Sequence, residues 1–195
     1  MDIIKQVAEY QPYNEQEKND KIGILRQLQT NQEDIFSRDN KISHITASAW
    51  VVNSDKTKVL MVYHNLYNSW SWLGGHADGD KNLLAVAMRE VREESGLTQI
   101  RPVSNDIYSL EILTVDGHEK KNHYVSSHLH LNVTYLLEAN EEETLSIKPD
   151  ENSGVSWFNL DEAILASTEP WFQKRIYSKL NEKISNSINH RISSV

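Results

Sequence analysis

Residues 75–97 read GHADGDKNLLAVAMREVREESGL. After a start rich in glycine and aspartate, the pattern predicts a helix over about residues 82–95, which the following glycine ends. At about 100° per residue, Glu90, Glu93 and Glu94 project from one face of this helix. Carboxylates at these spacings repel one another, and each pair costs about 0.2–0.5 kcal/mol. A divalent cation that prefers oxygen ligands removes this repulsion, so the pattern indicates a metal site.

A run of charges more often forms a solvated helix face, and this alternative has to be weighed against the metal site. Arg89 and Arg92 do not alternate with the three glutamates but project to one side of them. Towards the start of the helix, the glutamate face continues as Leu83, Val86 and Ala87. Such a continuation is typical of a face covered by protein, where carboxylates without basic partners favour a metal.

The same stretch resembles the Nudix box. In that family motif a glycine is followed by five residues, a glutamate, seven residues and the pattern R-E-U-x-E-E-x-G-U, in which U is aliphatic. The positions that match are Gly75, Arg89, Glu90, Val91, Glu93, Glu94, Gly96 and Leu97. Lys81 occupies the position of the first glutamate, and Leu73 stands where many members have proline.

The resemblance implies a fold and a function. The fold is α/β, the Nudix-type α/β/α sandwich, in which a mixed β-sheet lies between helices. A single Nudix hydrolase domain would cover residues 1–195, with an N-terminal helical extension (1–43), a catalytic core (44–160) and C-terminal helices (161–195). The implied function is metal-dependent hydrolysis of a diphosphate (pyrophosphate) linkage in a nucleoside diphosphate derivative, which is a small molecule.

The resemblance also implies metal ligands and a catalytic base. Glu90, Glu93 and Glu94, with the carbonyl of Gly75, would hold Mg²⁺ or Mn²⁺. The base that takes a proton from the attacking water would be one of these glutamates or Glu151. Many relatives have a glutamate at the position of Glu151, six residues before a Trp-Phe pair, but an exposed acidic turn explains it equally well.

One departure from the motif concerns the support of the glycine loop. In the family, the first glutamate braces this loop and often lies opposite the arginine, which in turn orients the other glutamates. Lys81 cannot form that ion pair with Arg89. We therefore expect Asp78 or Asp80 to substitute for the missing carboxylate, and Arg89 to act as a structural support.

The composition narrows the classes of function. The 195 residues carry 20 basic and 28 acidic side chains, a formal net charge of −8. This balance argues against general binding to nucleic acid or to an anionic membrane, since both need a basic surface. The absence of cysteine excludes a disulfide framework and a thiol nucleophile. No apolar stretch approaches about 18 residues, so we expect a cytoplasmic protein and leave a homodimer open.

The hydrophobic periodicity predicts helices and strands in alternation. Asn14 and Glu17 form the pattern of a capping box, which opens a helix that ends at about Thr30. The other predicted elements are strands at 44–52, 58–64, 107–115, 123–137 and 155–158, a helix from 160 to 166 and a final helix from 170 onwards.

The predicted strand at 123–137 has one polar face, which consists of Ser126, His128, His130, Asn132 and Thr134. Such a face usually contacts water. The fold implied by the resemblance leaves a cleft over one sheet face, and there His128, His130 and Asn132 would contact substrate. His76, next to the glycine pair, would be a further phosphate contact or a surface residue. The two strand histidines could also bind zinc, but the sequence shows no evident third ligand.

Two other classes of function stay open. An enzyme similar to isopentenyl diphosphate isomerase would share the fold, but that chemistry uses an active-site cysteine. A non-catalytic nucleotide-binding sensor would be expected to lose glutamates of the box, whereas this chain keeps three of them.

Overall fold

The computed structural model describes residues 2–30, 34–120 and 122–192. The helices are α1 (Ile3–Glu9), α2 (Glu15–Thr30), α3 (Leu83–Ser95), α4 (Leu160–Ala166) and α5 (Ser178–Ile192), and a π-helical turn, Phe172–Tyr177, leads into α5. The strands are β1 (Ser43–Val52), β2 (Lys58–His64), β3 (Ser69–Ser71), β4 (Leu73–His76), β5 (Ile100–Pro102), β6 (Ser109–Val115), β7 (His118–Lys120), β8 (His123–Val125), β9 (His128–Ala139) and β10 (Asn152–Asn159).

The contacts divide the chain into two compact units. The first comprises Met1–Ala49, Gly74–Glu90 and Pro102–Leu136, and the second comprises Trp50–Leu73, Val91–Arg101 and Leu137–Val195. Strands β1 and β9 and helix α3 each begin in the first unit and continue into the second. The single domain expected over residues 1–195 stays a prediction.

In the first unit, β1 is hydrogen-bonded to β4 and to β9. Strand β6 pairs antiparallel with β9, in a register that runs from Ser109 opposite Thr134 to Val115 opposite His128. Helix α2 packs on β6, and α1 packs on α2. The polar residues of β9 therefore lie on a strand that pairs with both β1 and β6.

Hydrogen bonds at the start of α2 cap the helix and tie it to the sheet. Asn14 caps it, because its side-chain oxygen accepts the N–H of Glu17 at 2.9 Å. Glu17 does not complete the predicted capping box: its fully buried carboxylate accepts the N–H of Tyr13 at 2.7 Å and the hydroxyl of Tyr10 at 2.5 Å. The carboxylate also accepts a hydrogen bond from the hydroxyl of Ser109 in β6 at 2.7 Å. Glu17 thus joins the loop between the two N-terminal helices to the sheet.

In the second unit, β2 lies between β10 and the end of β1, and both pairings are antiparallel. Strand β3 also pairs with β2. Helix α5 and its π-helical turn bury Ile176, Leu180 and Ile184, the apolar stripe that recurs every four residues. The ring of Trp50 stacks on that of Tyr177, with ring centroids 5.2 Å apart.

Most of the predicted elements are present, and the α/β class is confirmed. The main difference lies at 123–137, where the structure has two strands in place of one: β8 forms a hairpin with β7, and β9 begins only at His128. Ser127, in the break, accepts the N–H of Gly117 at 2.9 Å, which fixes the chain outside the ladder. The short elements α1, β3, β4, β5 and β7 were not predicted. None of the described helices combines the length and apolar character that a membrane span requires.

Candidate active site

Helix α3 carries the three glutamates of the motif and has the ends that the sequence predicts. The side-chain oxygen of Asn82 accepts the N–H of Ala85 at 3.2 Å and so caps the helix. Gly96 ends it with a φ of 75°, a conformation that favours glycine. Since Glu90, Glu93 and Glu94 all lie within the helix at spacings of three and four, they occupy one side of it.

In the first unit, Gly75 of β4 touches the carboxylate of Glu90. A Cβ atom at position 75 would lie 2.5 Å from the Glu90 carboxyl carbon and 2.6 Å from its Oε2. Only glycine leaves room for this approach, which brings the backbone of the loop against one of the predicted metal ligands. The two residues are thus packed together, and the joint ligation of a metal that the resemblance implies for them stays a prediction.

Arg89 and Asp80 replace the ion pair that Lys81 cannot make. Nη2 of Arg89 lies 3.2 Å from Oε1 of Glu90, and Nη1 lies 3.9 Å from Oδ2 of Asp80. Arg89 therefore holds the Glu90 carboxylate from one side. The alternative candidate, Asp78, pairs instead with Arg38 through two hydrogen bonds of 2.6 and 2.7 Å.

In the second unit, Glu93 and Glu151 share one cation. The Nζ atom of Lys148 lies 3.0 Å from Oε2 of Glu93 and 3.0 Å from Oε2 of Glu151. Partial burial alone would lower the pKa of Lys148, but its hydrogen bonds to Glu151 and Glu93 outweigh this effect and raise the pKa. The structure therefore places Glu151 near Glu93 within this unit, and no sequence pattern had pointed to Lys148.

The segment that carries Glu151 is fixed to the end of α3. The side-chain amide of Asn152 donates to the carbonyl of Glu94 at 3.0 Å, and the N–H of Ser146 donates to the carbonyl of Ser95 at 2.8 Å. Asn152 is fully buried, and Glu94 is only 3 % exposed. These bonds hold the segment in place beside the last turn of the helix.

The predicted substrate-contact histidines lie together, around a further histidine that the sequence analysis missed. His76 of β4 and His128 and His130 of β9 surround His44 of β1, with ring centroids 4.8–5.1 Å from that of His44. The hydrogen bonds between β1, β4 and β9 bring these residues together. Because these strands are far apart in sequence, no local pattern could have identified His44.

Asn132 uses its whole amide group in bonds within the first unit. Its Oδ1 accepts the hydroxyls of Thr46 and Ser48 at 2.9 and 2.8 Å. Its Nδ2 donates to Glu111 at 3.1 Å and to Thr134 at 3.0 Å. Both donor and both acceptor positions are therefore occupied. A substrate contact by Asn132 stays a prediction, and it would have to compete with these bonds.

The family model of the NUDIX domain matches residues 42–180, more than two thirds of the chain. The chain belongs to the Nudix family. With this match, the predicted Nudix-type fold and a hydrolase acting on phosphoanhydride bonds are confirmed. No curated protein matches the sequence significantly.

Solved structures agree with the family. An Ap4A hydrolase from C. elegans is 18 % identical with a TM-score of 0.55, and the match covers 75 % of this chain and 98 % of that one. A Nudix hydrolase from M. smegmatis is 15 % identical, at 73 % and 86 % coverage and a TM-score of 0.53. The E. coli dihydroneopterin triphosphate pyrophosphohydrolase is 16 % identical, at 69 % and 92 % coverage and a TM-score of 0.51. At these identities the likeness concerns the fold.

Gly75, the first residue of the Nudix box, and its neighbour Gly74 should respond differently to alanine. We expect Gly75→Ala to lower activity at least about 10-fold with little change in melting temperature, because the new Cβ displaces only side-chain atoms of Glu90 and no backbone atom. At Gly74, a Cβ would lie 2.6 Å from the backbone oxygen of Ala47 and 2.7 Å from Cα of Ser48, and neither atom can move away easily. Gly74→Ala should therefore cost about 2–3 kcal/mol of stability.

Thermal melts and steady-state rates on the two variants check this expectation. A Gly75→Ala protein with normal activity would show that the contact with Glu90 does not matter for function.

Replacing Lys81 by the glutamate of the family motif should have little effect on stability or activity. Lys81 is exposed, and its Nζ lies 5.7 Å from the centroid of the Phe36 ring. Lys81→Glu loses this cation–π contact, worth about 0.5–1 kcal/mol, but places an anion just before α3, which is worth a similar amount. We expect a change in stability below about 1 kcal/mol and activity within a few-fold, measured by melts and kinetics. A large loss of activity would instead assign Lys81 to substrate binding.

Proposed function

We propose that this Nudix hydrolase cleaves a diphosphate linkage in a nucleoside diphosphate derivative and depends on Mg²⁺ or Mn²⁺. The observation that carries the proposal is the contact between Gly75 and the Glu90 carboxylate on a helix that also bears Glu93 and Glu94. The donors are three carboxylates and a main-chain carbonyl, all of them hard oxygen ligands. This donor set fits Mg²⁺ or Mn²⁺ better than a softer ion.

Each residue of the set has a proposed role. Glu90, Glu93 and Glu94 would hold the cation, with the carbonyl of Gly75. When bound, the cation would neutralise charge on the diphosphate, which otherwise repels a nucleophile. Arg89 would keep the Glu90 carboxylate in position through its 3.2 Å contact.

A base is needed to take the proton of the attacking water, and Glu151 or one of the α3 glutamates would serve. Glu151 is supported by its place beside Lys148, which it shares with Glu93. A carboxylate that lies next to a metal ligand can reach a water between the ligand and the substrate. The partial exposure of the Glu151 side chain, 38 %, leaves it accessible to that water.

Lys148 should compete with the metal for the two carboxylates that it bridges. We expect Lys148→Met to lower the Mg²⁺ concentration for half-maximal activity by about 1.5- to 5-fold, since a partly exposed ion pair is worth about 0.2–1 kcal/mol. The matched control is Lys58→Met, which removes a lysine paired with Glu141 at 2.5 Å. Mg²⁺ titrations of the initial rate measure the effect. If Lys148→Met needs more Mg²⁺ or raises KM strongly, Lys148 acts on the substrate.

A substrate panel with and without chelator tests the proposed function. Because the solved neighbours include an Ap4A hydrolase and a dihydroneopterin triphosphate pyrophosphohydrolase, the panel contains a dinucleoside polyphosphate and a pterin triphosphate. It also contains ADP-ribose, nucleotide sugars and oxidised nucleoside triphosphates. We expect one group to be cleaved with Mg²⁺ and no product to form with EDTA.

The same panel distinguishes the other classes. Tight binding without turnover would favour a nucleotide-binding sensor, and conversion of isopentenyl diphosphate would favour an isomerase. A cytoplasmic location, a small-molecule partner without nucleic acid or membrane, and a homodimer stay predictions.

A further inference from the structure

We propose that His44, His76, His128 and His130 form a Zn²⁺ site, separate from the glutamates of α3. Three of them, His44, His76 and His130, each offer a nitrogen atom, and these atoms all lie within 4.8 Å of one another. Nε2 of His128 lies 3.2 Å from Nε2 of His130 and supplies a fourth nitrogen. All four residues belong to the first unit.

The orientation of His44 provides the first argument, because it leaves the Nε2 atom of the ring without a hydrogen-bond partner among the described residues. Its Nδ1 lies 3.0 Å from the carbonyl oxygen of Asn40. A carbonyl oxygen can only accept, so Nδ1 carries the proton and Nε2 has a free lone pair. This Nε2 is buried and has no hydrogen-bond partner among the described residues, in a side chain that is almost fully enclosed. Leaving such an atom unsatisfied destabilises the fold, and a bound cation would remove that cost.

His128 is oriented in the same way. Its Nδ1 lies 2.8 Å from the carbonyl oxygen of Ser126, so its Nε2 carries no proton and accepts from Nε2 of His130 at 3.2 Å, a bond that a cation between the two rings would replace. Backbone carbonyls that hold the far nitrogen of an imidazole are a common feature of metal-binding histidines, since they fix the ring and its tautomer. In this cluster both His44 and His128 have that support.

The spacing of the nitrogens suits a tetrahedral ion. With Zn–N bonds of about 2.0–2.1 Å, two ligand nitrogens on one zinc lie about 3.3 Å apart. The two Nε2 atoms of His128 and His130 already have a separation of 3.2 Å. The ligand nitrogens of His44, His76 and His130 lie within 4.8 Å of one another and would have to move closer to reach this spacing.

The ligand type supports zinc over magnesium. Burial lowers the pKa of both His130 and His44, because a charged ring is poorly solvated there. A set of imidazole nitrogens suits Zn²⁺, whereas Mg²⁺ prefers oxygen.

Zinc in this position would connect three strands and the glycine loop. His44, His76 and His130 belong to β1, β4 and β9, and His76 directly follows Gly75. Because Gly75 packs against Glu90, the ion would hold the start of the Nudix box in place without taking part in the chemistry proposed for the glutamates. The proposal does not depend on the proposed hydrolytic function.

Zinc titration of the metal-stripped full chain tests the site. Calorimetry is done with Mg²⁺ in excess, so that oxygen ligands are occupied. We expect one equivalent of Zn²⁺ to bind, and His44→Ala, His76→Ala and His130→Ala each to weaken binding at least about 100-fold. The control His123→Ala removes an exposed histidine outside the cluster and should leave binding unchanged.

Two further measurements keep the result decisive. Zn²⁺ should raise the melting temperature of the wild type but not of the cluster variants, and His76→Ala, which is only half-buried, serves if His44→Ala fails to fold. A double variant, Glu93→Gln with Glu94→Gln, should keep its zinc. The proposal is overturned if no zinc binds, if the cluster variants bind it as tightly as the wild type, or if only the glutamate variant loses it.

Discussion

Glu93→Gln and Glu94→Gln should each lower turnover at least about 100-fold and leave the fold intact. Each change keeps the size of the side chain and removes one anionic ligand, and charge stabilisation by a metal supplies several kcal/mol of the barrier reduction. Without metal, α3 could become slightly more stable, because a like-charged pair is lost. Steady-state kinetics at saturating Mg²⁺ and a thermal melt measure the two effects. The control is Glu142→Gln, which changes an exposed glutamate in a loop of the second unit.

The comparison with the control separates ligand loss from a general change in charge. If either α3 variant keeps near-normal activity that still depends on metal, the assignment of these glutamates as ligands is wrong. If Glu142→Gln loses as much activity as they do, the effect is one of net charge rather than of the site.

Asn132→Ala should lower the free energy of unfolding by about 2–4 kcal/mol. The substitution leaves the hydroxyls of Thr46 and Ser48 without their acceptor and Glu111 without one donor, in a region closed to water. A buried polar group that loses its partner costs about 1–3 kcal/mol, and several are affected here. Urea unfolding measures the change, with Asn105→Ala, an exposed asparagine, as the matched control.

This experiment also decides between two roles for Asn132. If stability changes by less than about 0.5 kcal/mol and KM rises, the amide contacts substrate, as the sequence analysis predicted. If stability falls as expected and KM for the folded fraction stays the same, the amide is a structural link within the first unit.

Sequence alone could predict what depends on local spacing. The ends of α3, the side of the helix that Glu90, Glu93 and Glu94 share, and the strand at Lys58–His64 all follow from periodicity and capping over a few residues. The resemblance to the Nudix family rests on the same short motif. These features need no knowledge of which distant segments meet.

Contacts between distant segments could not be predicted in this way. His44 joins the other histidines only because β1 pairs with β4 and β9, and Lys148 reaches Glu93 only because its segment is tied to the end of α3. Period two did separate the two faces of β9, but it could not show that the polar face is enclosed. There, Asn132 and Thr134 are buried among side chains of β1 and β6, which supply the hydrogen bonds that such burial needs.

Binding of Mn²⁺, followed by the electron paramagnetic resonance signal of the free ion, tests the central claim most directly. The claim is that the carboxylates of α3 hold the divalent cation on which hydrolysis depends. We predict that the wild type and His130→Ala both take up Mn²⁺ and reduce the free signal, because His130 is not part of the carboxylate set. The double variant Glu93→Gln with Glu94→Gln should leave the signal of the free ion unchanged. Equal Mn²⁺ binding by the wild type and this double variant would contradict the account.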